Sequence, residues 1–170
     1  MIDRRILLTS AMSLAAFSAF RWLGLGDAKA GEKTADKFEV EKSPEEWRKQ
    51  LSAAQYNVLR EAGTERPFTS PLNKEKRKGT FACAGCDLPL FSSETKFESG
   101  TGWPSFYQAL PNAIVEKSDR TFMMVRTETL CRRCGGHLGH VFDDGPKPTG
   151  LRYCMNGLAL SFKPQDGSAS

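Results

Sequence analysis

The chain has 170 residues, 39% of them hydrophobic, with three Trp and eleven Phe, which is enough for one ordinary core and too little for two. Its formal charge is +4, and beyond residue 30 it holds 20 basic and 18 acidic side chains, a charge of only +2. So even a balance removes the electrostatic footprint that nucleic-acid binding requires.

The first element reads as a targeting signal. Arg4 and Arg5 precede an apolar run from Ile6 to Phe20, and "AKA" at Ala28 to Ala30 supplies a small-x-small cleavage site, so residues 1–30 read as an export signal cut after Ala30. The paired arginines resemble a twin-arginine signal, although Asp3 stands where Ser or Thr is usual, and an ordinary secretory signal is the alternative. The run is shorter than the roughly 20 residues that cross a bilayer, so no permanent membrane anchor is expected. The expected destination is the bacterial periplasm. Residues 31–42 are polar and charge-mixed, a flexible leader.

Helical signals follow at once. Ser43, Pro44 and Glu46 form a cap, a first helical position and a capping box, and Ser52 with Gln55 repeats the spacing. Val58 and Leu59 continue the apolar face, and Gly63 is placed to stop the second helix. "RPFTSPL" must be extended or turning, and "NKEKRKG" reads as a solvated loop. From Gly79 onward helical periodicity disappears: "GTFACAGCDLPLF", "AIVEKS", "TFMMVRTE" and "LRYCMNGLALSF" read as short strands between turns. The domain is expected over 43–163, mainly β with helices at its N-terminal side, and residues 164–170 read as a disordered tail.

Four of the five cysteines fall in two CxxC pairs, Cys83 with Cys86 and Cys131 with Cys134. Two such knuckles point to a tetrahedral four-cysteine zinc site, structural because four thiolates leave no open position for chemistry. Two disulfides or a redox pair are the alternatives in an oxidising compartment, and His137 or His140 can replace a cysteine as ligand. Cys154 is left without a partner. In a strand, Arg152, Cys154 and Asn156 share one face, which sets a guanidinium and an amide beside the sulfur and favours its thiolate. The plain alternative is a buried small hydrophobe.

Taken together, "RPFTSPL", "CAGC", "ESGTGWPSF", "CRRCGGHLGHVFDDGP" and "RYCMNGLALSF" closely resemble the B-type methionine sulfoxide reductases, from about Pro44 to Phe162. The resemblance implies a β-tent of two antiparallel sheets and reduction of the R epimer of methionine sulfoxide, usually within proteins. It implies that Cys154 is the nucleophile, left as a sulfenic acid, and that His140 helps to protonate the departing oxygen, supported by His137, Asp144 and Asn156. Arg152 is implied to hold the thiolate, and Trp103 to pack on the S-methyl group. Taken alone, Trp103 could be core, the histidines loop residues or ligands, and Asp144 a turn former.

Many relatives carry a resolving cysteine where this chain has Thr101, and no sixth cysteine exists here. Recycling is therefore expected to use an outside thiol: a thioredoxin-like or glutaredoxin-like protein, or a small thiol. A monomer with one structural zinc is expected. The competing functions are a zinc-stabilised binding module, a nucleic-acid zinc ribbon and a disulfide oxidoreductase.

Overall fold

The structure, a computed structural model, describes residues 37–120 and 124–165. The expected export signal and the tail from residue 166 lie outside the described residues. Two helices open the fold, α1 at Pro44–Gln50 and α2 at Ala53–Glu61. Both begin with the reciprocal exchange that their sequences predict. Ser43 Oγ accepts from the Glu46 N–H at 3.2 Å while Glu46 Oε2 accepts from the Ser43 N–H at 2.8 Å, and Ser52 and Gln55 do the same.

The stop of α2 differs from expectation. Ala62, not Gly63, takes the left-handed conformation, with φ of 53°. Gly63 is needed for closeness instead, since a Cβ there would stand 1.9 Å from Asn57 Oδ1 while its N–H donates to the Asn57 carbonyl. Trp47, Val58 and Leu59 are buried by the helices. Polar bonds fix their position: Gln50 Nε2 donates to the Gly85 carbonyl at 2.6 Å and Arg60 to the Cys134 carbonyl at 2.9 Å. Thus the helices lie against both cysteine loops.

The remainder is antiparallel sheet. One sheet has the order β2-β1-β9, from Pro89–Ser92, Gly79–Cys83 and Leu160–Pro164. The other has the order β3-β4-β8-β7-β6-β5. Its strands are β3 at Lys96–Phe97, β4 at Ser105–Phe106, β5 at Ile114–Asp119, β6 at Arg126–Cys131, β7 at His137–Phe142 and β8 at Arg152–Met155. Aromatic rings join the two sheets. Phe91 of β2 stacks on Phe106 of β4 at 4.4 Å between centroids, Phe81 of β1 meets Phe106 edge-on at 4.9 Å, and Phe91 lies 5.7 Å from Tyr153 of β8.

Several boundaries move. Among the described residues of "TFMMVRTE", Met124 and Val125 precede the strand that begins at Arg126, whereas "HLGHVF", whose histidines could have belonged to a loop, is a full strand. Lys37 to Lys42 fall in the stretch expected to be a flexible leader, yet Val40 donates to the Arg133 carbonyl at 2.9 Å and the Phe38 ring packs over Gly135. At the other end, β9 runs through Pro164, and Gln165 donates to the Lys78 carbonyl at 3.0 Å. Residues on both sides of 43–163 thus join the fold, through backbone bonds at Val40 and Gln165 and a ring contact at Phe38.

Strands β7 and β8 approach closely at Gly139, which pairs with Met155. A Cβ at Gly139 would stand 2.1 Å from the Cys154 carbonyl oxygen, a backbone atom that cannot turn away. Gly139→Ala is therefore expected to destabilise the chain by about 2–3 kcal/mol, the cost of forcing extra volume into a packed site. Denaturant unfolding checks this, and an unchanged midpoint would show that the strands can separate freely.

Candidate active site and metal cluster

The two cysteine loops have the same backbone course. Asp87 donates to the Cys83 carbonyl and Gly135 to the Cys131 carbonyl, each at 2.8 Å, and Asp87 and Gly135 have φ of 60° and 67°. Cys83 ends β1 and Cys131 ends β6, so the loops come from different sheets. Their four sulfurs lie within 4.8 Å of one another, with Cys83 and Cys134 at 3.8 Å and Cys86 and Cys131 at 3.5 Å. A tetrahedral ion with metal–sulfur bonds of about 2.3 Å sets its ligands about 3.8 Å apart, so the donor set fits. None of the four is in a disulfide, and the cluster is largely buried. Neither histidine joins them.

Cys154 stands elsewhere. It sits in β8 with Ser105 of β4 on one side and His140 of β7 on the other. It borders a pocket of about 130 Å³ shared with Trp103, Arg126, His140, Phe142 and Asn156. Tyr153 and Met155 point into the core, so the alternation expected of this strand holds and Cys154 faces out with Arg152.

Each neighbour is held by a second group. Arg152 makes a two-pronged pair with Asp144 through Nε and an Nη, both at 2.8 Å, and lies 4.4 Å over the Phe142 ring. That bond to Asp144 holds the guanidinium above its ordinary range, and the sulfur of Cys154 adds to the effect. The same bond holds the Asp144 carboxyl below the usual range. Asp144 is itself exposed and reaches the pocket only through Arg152.

His140 Nε2 lies 2.9 Å from Asp119 Oδ2, the oxygen that also accepts from Arg126 at 2.6 Å. Burial lowers the imidazole's affinity for a second proton, and the Asp119 bond only partly offsets it. His137 is buried behind His140, their centroids 5.5 Å apart, and its Nδ1 lies 2.6 Å from Glu128 Oε1. The bond from His137 pulls the Glu128 carboxyl below its usual range. His137 thus braces the site from within.

Trp103 and Asn156 are both tied to Glu65. The indole N–H donates to the Glu65 carbonyl at 3.1 Å, and Asn156 Oδ1 accepts from the Glu65 N–H at 3.0 Å while its amide donates to the Leu138 carbonyl. The Glu65 side chain accepts from the Gly157 and Leu158 N–H groups just beyond β8. Burial nevertheless raises its pKa.

Residues 51–164 match the SelR domain family. The chain is 57% identical over 130 residues to the peptide methionine sulfoxide reductase MsrB of Pseudomonas putida (strain W619), covering 76% of this chain and 98% of that protein. The enzyme of the same name from Leptospira interrogans serogroup Icterohaemorrhagiae serovar Lai (strain 56601) is 56% identical over 129 residues, 75% of this chain and 98% of that protein. This chain belongs to the MsrB family of peptide methionine sulfoxide reductases.

As an MsrB protein it is an oxidoreductase acting on methionine sulfoxide. Every residue singled out in its sequence lies in one of the two clusters just described or braces it. Sequence reasoning missed Glu65, Asp119, Arg126 and Glu128, which touch those residues from distant segments. Glu65 stands beside the "RPFTSPL" segment, but nothing marks its carboxylate as a cap for a turn more than ninety positions away. Phe142, which was not among the candidate residues, also lines the pocket.

The sulfur cluster joins the end of β1 to the end of β6, so its ion is expected to hold the two sheets together. Purified MsrB chain is expected to carry one divalent ion, and stripping it with a chelator to lower Tm by at least about 10 °C. A stripped chain that melts at the same temperature as the loaded one would show that the fold does not depend on the ion.

Proposed function

We propose that this MsrB protein reduces the R epimer of methionine sulfoxide in proteins and peptides, with Cys154 as nucleophile and an external thiol as reductant. The observation that carries the reading is the separation of the five cysteines. Four gather in a cluster suited to a metal, and Cys154 alone borders a pocket that an indole also lines, with a guanidinium and an imidazole beside it.

The Cys154 thiolate attacks the sulfoxide sulfur, and the oxygen passes to Cys154 as a sulfenic acid while methionine is released. Arg152, fixed by Asp144, favours the thiolate. His140 supplies a proton to the departing oxygen. A carboxylate that already accepts from Arg126 can only accept from His140, so Nε2 carries the resident proton and Nδ1 takes the second. Trp103 packs against the S-methyl group, and its anchor on Glu65 sets the ring's position.

One external thiol condenses with the sulfenic acid to give a mixed disulfide and water. A second thiol then frees Cys154 and leaves the reductant as a disulfide. No cysteine within the chain can replace them, since the other four belong to the cluster. That reductant is a thioredoxin-like or glutaredoxin-like protein or a small thiol. The ion is zinc, held by Cys83, Cys86, Cys131 and Cys134, and four thiolates give it a structural task alone. Residues 1–30 direct export to the periplasm, and the chain acts as a monomer.

The test uses the purified chain and Cys154→Ser with separate epimers of a methionine sulfoxide peptide and dithiothreitol, following methionine by chromatography. The expected outcome is turnover of the R epimer alone and a loss of at least about 1,000-fold in the variant, as for removal of a nucleophile. Equal turnover of both epimers would overturn the stereochemical reading. Activity retained in Cys154→Ser would overturn the nucleophile.

A further inference from the structure

Beside Cys154 runs a chain of hydroxyls that the reaction just described does not use. Thr101 Oγ1 lies 3.7 Å from Cys154 Sγ, Ser99 Oγ lies 2.8 Å from Thr101 Oγ1, and Ser105 Oγ lies 2.7 Å from Ser99 Oγ. The Ser105 hydroxyl donates to the Trp103 carbonyl at 3.1 Å, and the Thr101 N–H donates to Ser99 Oγ at 3.4 Å. Ser105 is fully buried, so water does not reach the far end of the chain. No residue from Ser99 to Ser105 is ionisable.

Counting protons shows what this arrangement does. Each hydroxyl carries one proton, and the Trp103 carbonyl can only accept. While Cys154 is a thiol, its proton and the three hydroxyl protons form one directed series of hydrogen bonds: sulfur to Thr101, Thr101 to Ser99, Ser99 to Ser105, Ser105 to the carbonyl. On ionisation one proton is gone, and both ends of the chain are acceptors. One hydrogen bond must be given up. A bond to a charged sulfur is stronger than a neutral one, so the bond that breaks is the remote one at the Trp103 carbonyl. Each hydroxyl then turns toward the sulfur.

We propose that Thr101 is a catalytic hydrogen-bond donor to the Cys154 thiolate, and that Ser99 and Ser105 position it through a hydroxyl relay whose direction reverses when the sulfur ionises. The relay gives the thiolate a donor that carries no charge and brings no exchangeable acid next to the substrate. It also passes the ionisation state of Cys154 to the segment that holds Trp103. The inference rests on Cys154 being the nucleophile.

The first readout requires no sulfoxide. The rate at which iodoacetamide alkylates Cys154, followed by mass spectrometry of its peptide, gives the ionisation midpoint of that thiol as pH is varied. The charged and titratable groups around the sulfur are Arg152 with Asp144 on its own side, and His140 with Asp119 and Arg126 across β7. All of them are unchanged in the variants. Thr101→Val, which removes the hydroxyl and keeps the branched shape, is expected to raise the midpoint by about one pH unit, the effect of losing one charge-assisted bond. Thr101→Ser is expected to restore it.

Ser99→Ala is expected to raise the midpoint in the same direction by a smaller amount, because Thr101 then lacks the donor that completes its turn. Single-turnover reduction below the midpoint is expected to slow in Thr101→Val about tenfold, and to recover at higher pH where the thiol ionises unaided. An unshifted midpoint in Thr101→Val overturns the donor, and an effect of Thr101→Val without one of Ser99→Ala overturns the relay. If Thr101→Val melts early, Ser99→Ala and Thr101→Ser carry the test by the same readout. Alkylation that follows these expectations in a chain without sulfoxide turnover would uphold the relay and overturn the reductase reading instead.

Discussion

The site depends first on the register of β8. That strand lies between β4 and β7, and its pairing sets Ser105 and His140 on either side of Cys154. Because side chains alternate, a slip by one residue would turn Cys154 into the core and bring Tyr153 and Met155 out. Both inward residues are buried, Tyr153 near the Phe91 ring and Met155 beside the Thr129 hydroxyl. Exposing them would cost about 1.5–3 kcal/mol each. The proposed nucleophile is thus oriented by its apolar neighbours in the chain, and Gly139 lets β7 come close enough for His140 to share the site.

The cysteine cluster and the candidate active site sit at opposite ends of β6. Cys131 closes the strand at the cluster, while Arg126 opens it beside Asp119 and His140. Six residues of strand span about 17 Å between these ends, at about 3.4 Å per step. At that separation an ion held by the four cysteines would act on the pocket mechanically: it would fix the end of β6, and β6 pairs with β7 along the ladder that leads to His140. The aromatic stack between the sheets resists shear from the other side, so the two devices divide the work of holding β7 and β8 in place.

What could be read from the sequence was what depends on near neighbours. Both capping boxes lie within four residues and formed as their letters imply, and the paired cysteines carry their spacing openly. Strand β7 was illegible because "GGHLGHVF" holds three glycines and two polar rings, none of them strand formers by pattern. Strands β3 and β4 have two residues each, too few for alternation to be seen. The bracing carboxylates Glu65, Asp119 and Glu128 act across sheets or loops, and only the fold decides which of many acidic residues meets a histidine or a turn. Thr101 stands out in the sequence only through the family resemblance, whereas its hydroxyl's place in a chain with Ser99 and Ser105 is a fact of three dimensions.

The proposed reaction asks for two opposite things at one pH: a sulfur without its proton and an oxygen that receives one. One pool of positive charge beside both would serve the first and add nothing to the second. The pocket instead keeps them on different strands. Arg152, whose charge is permanent and is tied down by Asp144, acts on the sulfur from within β8. His140 on β7 is the group that can lose its proton, and burial makes its charged form the stronger acid while Asp119 keeps that form attainable. Thr101 completes this division from a third segment: a hydroxyl can donate to the thiolate without competing with His140 for the proton that the oxygen must take. In this site, therefore, the acid and the nucleophile are tuned by different partners, and either can be adjusted without spoiling the other.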